Sequence, residues 1–163
     1  MEIKPEYKKI AVTGVEVSVY AHATEDERRV KEAVMNMIPI EARESSLKMQ
    51  RMTGHHGDPI LLMTMRIKNR KKAKVIFHNL VRLMSAMEHF SPIEDTGDRI
   101  DEKGNLYMRF DKQIAYRGRV KLNNVDPIRM KFRFRIPHGL DPARAVEAYI
   151  AGVIDEIGKE IDK

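Results

Sequence analysis

Two short stretches carry a cation at every second residue: Arg117, Arg119 and Lys121, then Arg129, Lys131, Arg133 and Arg135. In extended backbone alternate side chains share a face, so each stretch presents a ribbon of positive charge. Such a ribbon can meet the phosphates of an extended polyanion, and arginine can also grip bidentately or stack on a base. Like charges opposed across neighbouring strands are destabilising, so folding alone does not favour this pattern unless an acid such as Glu16 neutralises it. If the loop containing Asn123 and Asn124 joins the stretches as a hairpin, all seven cations lie on one sheet face. The competing reading is a solvated face of amphipathic strands, some of its cations paired with acids. Under either reading Phe132 and Phe134 are core residues and not stacking platforms.

Three further groups merit weighing. Lys112 and Tyr116 are four apart and fall on one side of a helix or of a strand, which sets an amine beside a stackable ring. Gln113 offers a donor and an acceptor to a base edge or a 2′-hydroxyl. The alternative has Tyr116 half-buried and Lys112 paired with an acid. A second cationic group, Arg66, Lys68, Arg70, Lys71, Lys72 and Lys74, spans a strand end and a helix start. There it opposes the helix dipole at ~0.3–1 kcal/mol per charge, which phosphate could offset. Arg70, Lys71 and Lys72 are its candidate contacts, provided the fold brings them to the main ribbon.

His55, His56, Gly57 and Asp58 read as a turn, because adjacent His side chains diverge and no ligand spacing accompanies them. Asp95, Asp98 and Asp101 lack the offsets of a calcium loop and read as a solvated acidic segment. With no Cys, thiolate catalysis, disulfides and zinc ribbons are excluded. Nucleotide-binding glycine loops and nucleophile elbows are absent from the sequence. The expectation is no catalytic residue, no metal and no cofactor.

The net charge of +6 is unevenly built. Residues 59–87 hold seven basic and no acidic groups and residues 105–136 hold nine and two, whereas residues 88–104 between them hold two and six. Two cationic blocks flanking an acidic one suit a molecule with one basic face. The longest apolar run, Pro59 to Met65, falls far short of the ~20 residues of a membrane span. The amino terminus has no signal-peptide pattern, so a cytoplasmic location is expected.

The elements that must position these residues follow from periodicity. Val15, Val17 and Val19 alternate with polar residues and predict a strand over 10–21. Thr24 and Glu27 have capping-box spacing ahead of a helix over 25–37. Strands are expected over 47–52 and 60–68, the latter with Leu61, Met63, Met65 and Ile67 on one face. Asn69 caps a long amphipathic helix over 70–90. Leu106, Met108 and Phe110 predict another strand; residues 111–117 form either a helical turn capped by Asp111 or a bent continuation of it. Extended structure is expected over 118–122 and 128–136, and Asp141 caps a closing helix. Sequential strands with short links favour a single α+β domain over 1–163, a largely antiparallel sheet with helices packed on one face.

Two segments, HHGDPI at His55 to Ile60 and GNLYMRFDKQIAYRG at Gly104 to Gly118, resemble an archaeal family of predicted RNA-binding exosome subunits related in fold to the ribosomal protein that binds 5S RNA. The family pattern commonly has Asn where Asp58 stands and a smaller or apolar residue near Arg117. The resemblance implies a non-catalytic, RNA-related role, with Lys112, Gln113 and Tyr116 as contacts and the exosome or ribosome as partner. Two other classes stay open: a module docking an acidic protein partner, and an enzyme acting on a phosphorylated small molecule, which would need a concave polar pocket.

Overall fold

The valine-rich run forms the central strand β1 (Ala11–His22) in the computed structural model, which describes residues 5–43 and 47–161. Chain order continues with helix α1 (Glu27–Asn36), strands β2 (Lys48–Thr53) and β3 (Pro59–Ile67), and helix α2 (Arg70–Ser85). Strand β4 (Asn105–Phe110), the short helix α3 (Lys112–Tyr116), strand β5 (Ile128–Arg135) and helix α4 (Pro142–Ile161) complete it. The five strands form one open antiparallel sheet in the order β2-β3-β1-β5-β4. This is the expected α+β class.

Burial alternates along the inner strands because one face meets the helices. Leu61, Met63, Met65 and Ile67 of β3, Val15, Val17 and Val19 of β1, and Met130, Phe132 and Phe134 of β5 are all buried. Helix α2 answers with Ala73, Ile76, Phe77, Leu80, Val81 and Met84. The Phe77 ring meets Phe132 and Phe134 edge-on at 4.9 and 5.1 Å and lies tilted against Tyr149 of α4 at 5.8 Å. Each such buried side chain contributes about 1.5–3 kcal/mol. Phe132 and Phe134 are thus core residues, as the sequence indicates.

Three expectations are corrected. Asp26, not Thr24, caps α1, its carboxylate accepting the Arg28 N–H at 2.9 Å; the Glu25 side chain turns back to accept from the His22 N–H. Helix α2 stops at Ser85, short of residue 90, where Ala86 and Met87 donate to Leu83 and Met84 in a tightened last turn and His89 adopts φ +54°. Residues 118–122 form no strand beside β5; Leu122 makes one bridge to Phe110 on the outer edge of β4. The cause is α3. Asp111 caps it by accepting the Ile114 N–H and binds the Asn123 amide, drawing the returning chain to the end of β4. That leaves β5 to pair between β1 and β4.

Candidate functional site

Residues pointing away from the helices make up the open face of the sheet. Strand β2 contributes Lys48, opposite Thr64, β3 contributes Thr64 and Arg66, β1 contributes Glu16, Ser18 and Tyr20, and β5 contributes Arg129, Lys131, Arg133 and Arg135. At the edge, β4 adds Asn105, Tyr107 and Arg109. Strand register sets these side by side: Arg66, Glu16, Lys131 and Tyr107 form one row, and Thr64, Ser18, Arg129 and Arg109 the next. A shallow depression of about 290 Å³ runs between the two rows.

Glu16 is the one carboxylate among these outward strand positions. Its Oε1 lies 2.9 Å from Arg66 Nε, and its Oε2 lies 3.8 Å from both Lys131 Nζ and an Arg133 terminal nitrogen. One negative charge thus serves three cations. Arg109 and Arg129 stand directly opposite each other, and neither has a carboxylate within ion-pair distance among the described residues. The Arg129 guanidinium lies 5.7 Å from the centroid of the Tyr20 ring, and Lys131 Nζ 5.6 Å from that of Tyr107. At such exposed sites a cation over a ring contributes about 0.5–1 kcal/mol.

Tyr107 is exposed but tethered. Its hydroxyl donates to Asp101 Oδ2 at 3.1 Å, while the same carboxylate accepts from the Asn105 N–H and side-chain amide and from the Lys103 N–H. Partial burial opposes ionisation of Asp101, yet these donors outweigh it and hold the carboxyl below its ordinary range. Partial desolvation together with the bond to Asp101 raises the Tyr107 phenol.

The expected ribbon is present in part. Arg129, Lys131, Arg133 and Arg135 do share the open face, but Arg117, Arg119 and Lys121 do not join them as a hairpin partner. Those three are exposed on the segment that returns past β4, where Val120 turns inward. Gln113, Tyr116 and Arg117 instead line a cleft of about 480 Å³ between α1 and α3, with Asp26 and Arg29 opposite. Arg29 lies 5.8 Å from the Tyr116 ring centroid.

Lys112 is mostly buried, its side chain 10% exposed, and Nζ donates to the Tyr20 carbonyl at 2.6 Å, to Glu25 Oε1 at 3.0 Å and to Asp126 Oδ2 at 2.7 Å. It ties three segments together and has no donor to spare for a ligand. The second cationic group also divides. Arg66 lies on the open face, whereas Arg70, Lys71 and Lys74 line a different cleft of about 390 Å³ beside Tyr149 and Glu156 of α4. Lys72, in the first turn of α2, donates its backbone N–H to the Asn69 cap.

His22, Glu25 and Asp126 bring three ligand-competent atoms within 4.8 Å of one another. The Lys112 ammonium already occupies the cationic position among them, and His22 Nε2 lies 2.9 Å from Asp126 Oδ1. Burial disfavours the charged form of Asp126, but hydrogen bonds from Lys112 and His22 and their charges overcome this and lower its pKa. Asp126 also adopts φ +47°, a conformation these two partners hold in place.

Sequence reasoning did not single out Tyr20, Tyr107 or Arg109. Tyr107 and Arg109 alternate with Leu106, Met108 and Phe110, and that alternation puts them together on the wet face. Nothing in the sequence shows which strand lies beside them.

A family model described as RNA binding matches residues 14–134. The chain is 30% identical over 122 residues to RNA-binding protein PAB1135 of Pyrococcus abyssi, covering 74% of this chain and 79% of that protein. Among solved structures it is similar to protein AF2318 of Archaeglobus fulgidus, with 29% identity, a TM-score of 0.68, and coverage of 87% of this chain and 99% of that one. Mth689, a DUF54 protein from Methanothermobacter thermautotrophicus, shares the fold with a TM-score of 0.70 at 24% identity, over 87% and 97% of the two chains. The matched segment takes in nearly the whole sheet, from Gly14 within β1 to Phe134 near the end of β5, and the chain belongs to this RNA-binding family.

Proposed function

We propose that the protein is a non-catalytic accessory factor of the cytoplasm that binds RNA on the open face of its sheet, chiefly through backbone phosphates. The observation that carries this reading is the opposed pair Arg109 and Arg129. Two guanidinium groups facing each other across strands without a carboxylate cost stability, and an anionic ligand relieves that cost. Arg66, Lys131, Arg133 and Arg135 extend the charge along the same face. The family description and the name of the Pyrococcus relative support RNA as the polyanion. Gln113, Tyr116 and Arg117 would extend the contact at the α1–α3 cleft, at a corner that Lys112 holds in shape. The resemblance of the Gly104–Gly118 motif to exosome-associated proteins favours delivery of bound RNA to a degradative complex or to the ribosome.

The test is the double variant Arg109→Gln/Arg129→Gln. RNA affinity should fall about tenfold, and the slope of log K against log salt should become shallower by about 1.4 as two phosphate contacts are lost from a single strand. Urea stability should hold or rise by a few tenths of a kcal/mol, since a like-charge pair is removed. Unchanged affinity with an unchanged salt slope would reject this face.

A further inference from the structure

Resting on the RNA-binding reading above, the geometry points to a narrower ligand: we infer that the open face takes single-stranded RNA, with Tyr107 and Tyr20 each stacking one base. The two rings differ from the phenylalanines of the sheet and its cover. Phe77, Phe110 and Phe132 are fully buried and Phe134 nearly so, whereas Tyr107 is 44% exposed and Tyr20 half-buried, both at outward strand positions. An outward Tyr on a strand gains little from folding, while a flat ring in water is a surface any base can stack on.

The surroundings of each ring fit that use. A cation accompanies each, Arg129 with Tyr20 and Lys131 with Tyr107, so the charge that meets a phosphate sits beside the ring that meets its base. The Asp101 tether fixes the tilt of Tyr107 before a ligand arrives, which lowers the entropy lost on binding. The Asp101 carboxylate is in turn held by three donors from residues 103 and 105.

Register gives the spacing. Tyr107 shares a row with Glu16, four residues before Tyr20 on β1, and β4 lies two strands from β1. With ~3.3 Å per residue along a strand and ~4.8 Å between strands, the two backbone positions are about 16 Å apart. That matches two to three steps of an extended nucleic-acid strand at roughly 7 Å per step. Arg109 and Arg129 occupy the row between the rings, where the intervening phosphates would pass. A duplex cannot use this arrangement, because its bases are stacked on one another and present only their edges in the grooves, never a face to a ring.

The experiment compares a labelled oligouridylate of about ten nucleotides with a blunt RNA duplex by fluorescence anisotropy at one salt concentration. Tyr107→Leu and Tyr20→Leu should each weaken single-strand binding about fivefold or more and leave duplex binding unchanged, because a stacked base contributes at least about that factor. Tyr107→Phe, which keeps the ring and loses the tether, should stay within about threefold of the parent. Oligomers carrying two abasic sites serve with the unaltered protein, so no folding defect intervenes. Affinity should drop most when the sites are two or three nucleotides apart. Leucine variants and abasic oligomers that bind like their parents would overturn the stacking proposal. If Arg109→Gln/Arg129→Gln still weakened both RNAs, the phosphate-binding face would survive without it; if that variant too changed nothing, the RNA-binding reading of the face would fall. Equal or tighter duplex binding would also overturn the single-strand assignment.

Discussion

Replacing Glu16 with Gln should tighten RNA binding while weakening the fold. Glu16 sits among Arg66, Lys131 and Arg133 at 2.9, 3.8 and 3.8 Å and is the only negative charge among the outward strand positions. Against it stand Lys48, Arg66, Arg109, Arg129, Lys131, Arg133 and Arg135, so these strand positions carry a net charge of about six, which becomes about seven in Glu16→Gln. A single strand that engages the whole net charge gives log K against log salt a slope of about −4.2, steepening to about −4.9 in the variant. One phosphate relieved of a carboxylate some 4 Å from its cation gains up to ~1 kcal/mol in a watery setting, about fivefold in affinity at low salt. The cost appears in the free protein. Three partly exposed ion pairs vanish, each contributing at most a few tenths to ~1 kcal/mol, and the urea midpoint should fall accordingly. Anisotropy titrations of a labelled oligouridylate across a potassium chloride series measure the first effect, urea melts the second. Weaker binding by Glu16→Gln, or an unaltered slope, would show that the face is not the phosphate surface or that Glu16 serves to aim its cations.

Two further outcomes follow from local geometry. Asp126 has a lowered pKa in the folded chain, so its stabilising contribution is complete above the ordinary carboxylate value of 3.8 and is lost as pH falls through the lower folded value. Because Asn tolerates φ +47°, Asp126→Asn should cost about 1 kcal/mol at pH 7 and flatten the acid limb below about pH 4, read from urea midpoints across pH. An acid limb identical to the parent's would refute the clamp role of Asp126. Gly118 ends α3 at φ +81° with open space where a Cβ would go. Gly118→Ala should therefore lose about 1–2 kcal/mol through backbone conformation alone, and an unshifted urea midpoint would contradict that.

Period-two patterns reveal strands when one side is buried, which is why β1, β3 and β5 are legible in valine, methionine and phenylalanine spacing. Helix ends are less legible, because Thr24 and Asp26 both offer caps and only the path of the chain after His22 selects Asp26. Neighbours across the sheet are not encoded locally. Glu16 meets Arg66 and Lys131, fifty and more than a hundred residues away, and no short-range signal announces either pairing. The hairpin expectation failed for a related reason. It assumed that consecutive extended segments pair, whereas the Asp111 cap and the short α3 carry residues 118–122 to the far side of β4. For Lys112 both readings, a free amine and an acid-paired one, stayed open because its partners, Glu25 and Asp126, come from other parts of the chain. The four β5 cations read correctly because their common side depends only on alternation within one strand.

The place of β5 in the strand order β2-β3-β1-β5-β4 bears on how the protein is made. As the chain leaves the ribosome, β1 can join β3 and β2 early, but its other margin has no neighbour until residues 128–135 are translated. Through that interval a valine-rich strand offers bare amide and carbonyl groups to any passing polypeptide, the hazard of an unguarded sheet margin. Arrival of one late strand closes the gap and sets the last cations in place together, so a nascent chain has no complete cationic face until its sheet is sealed.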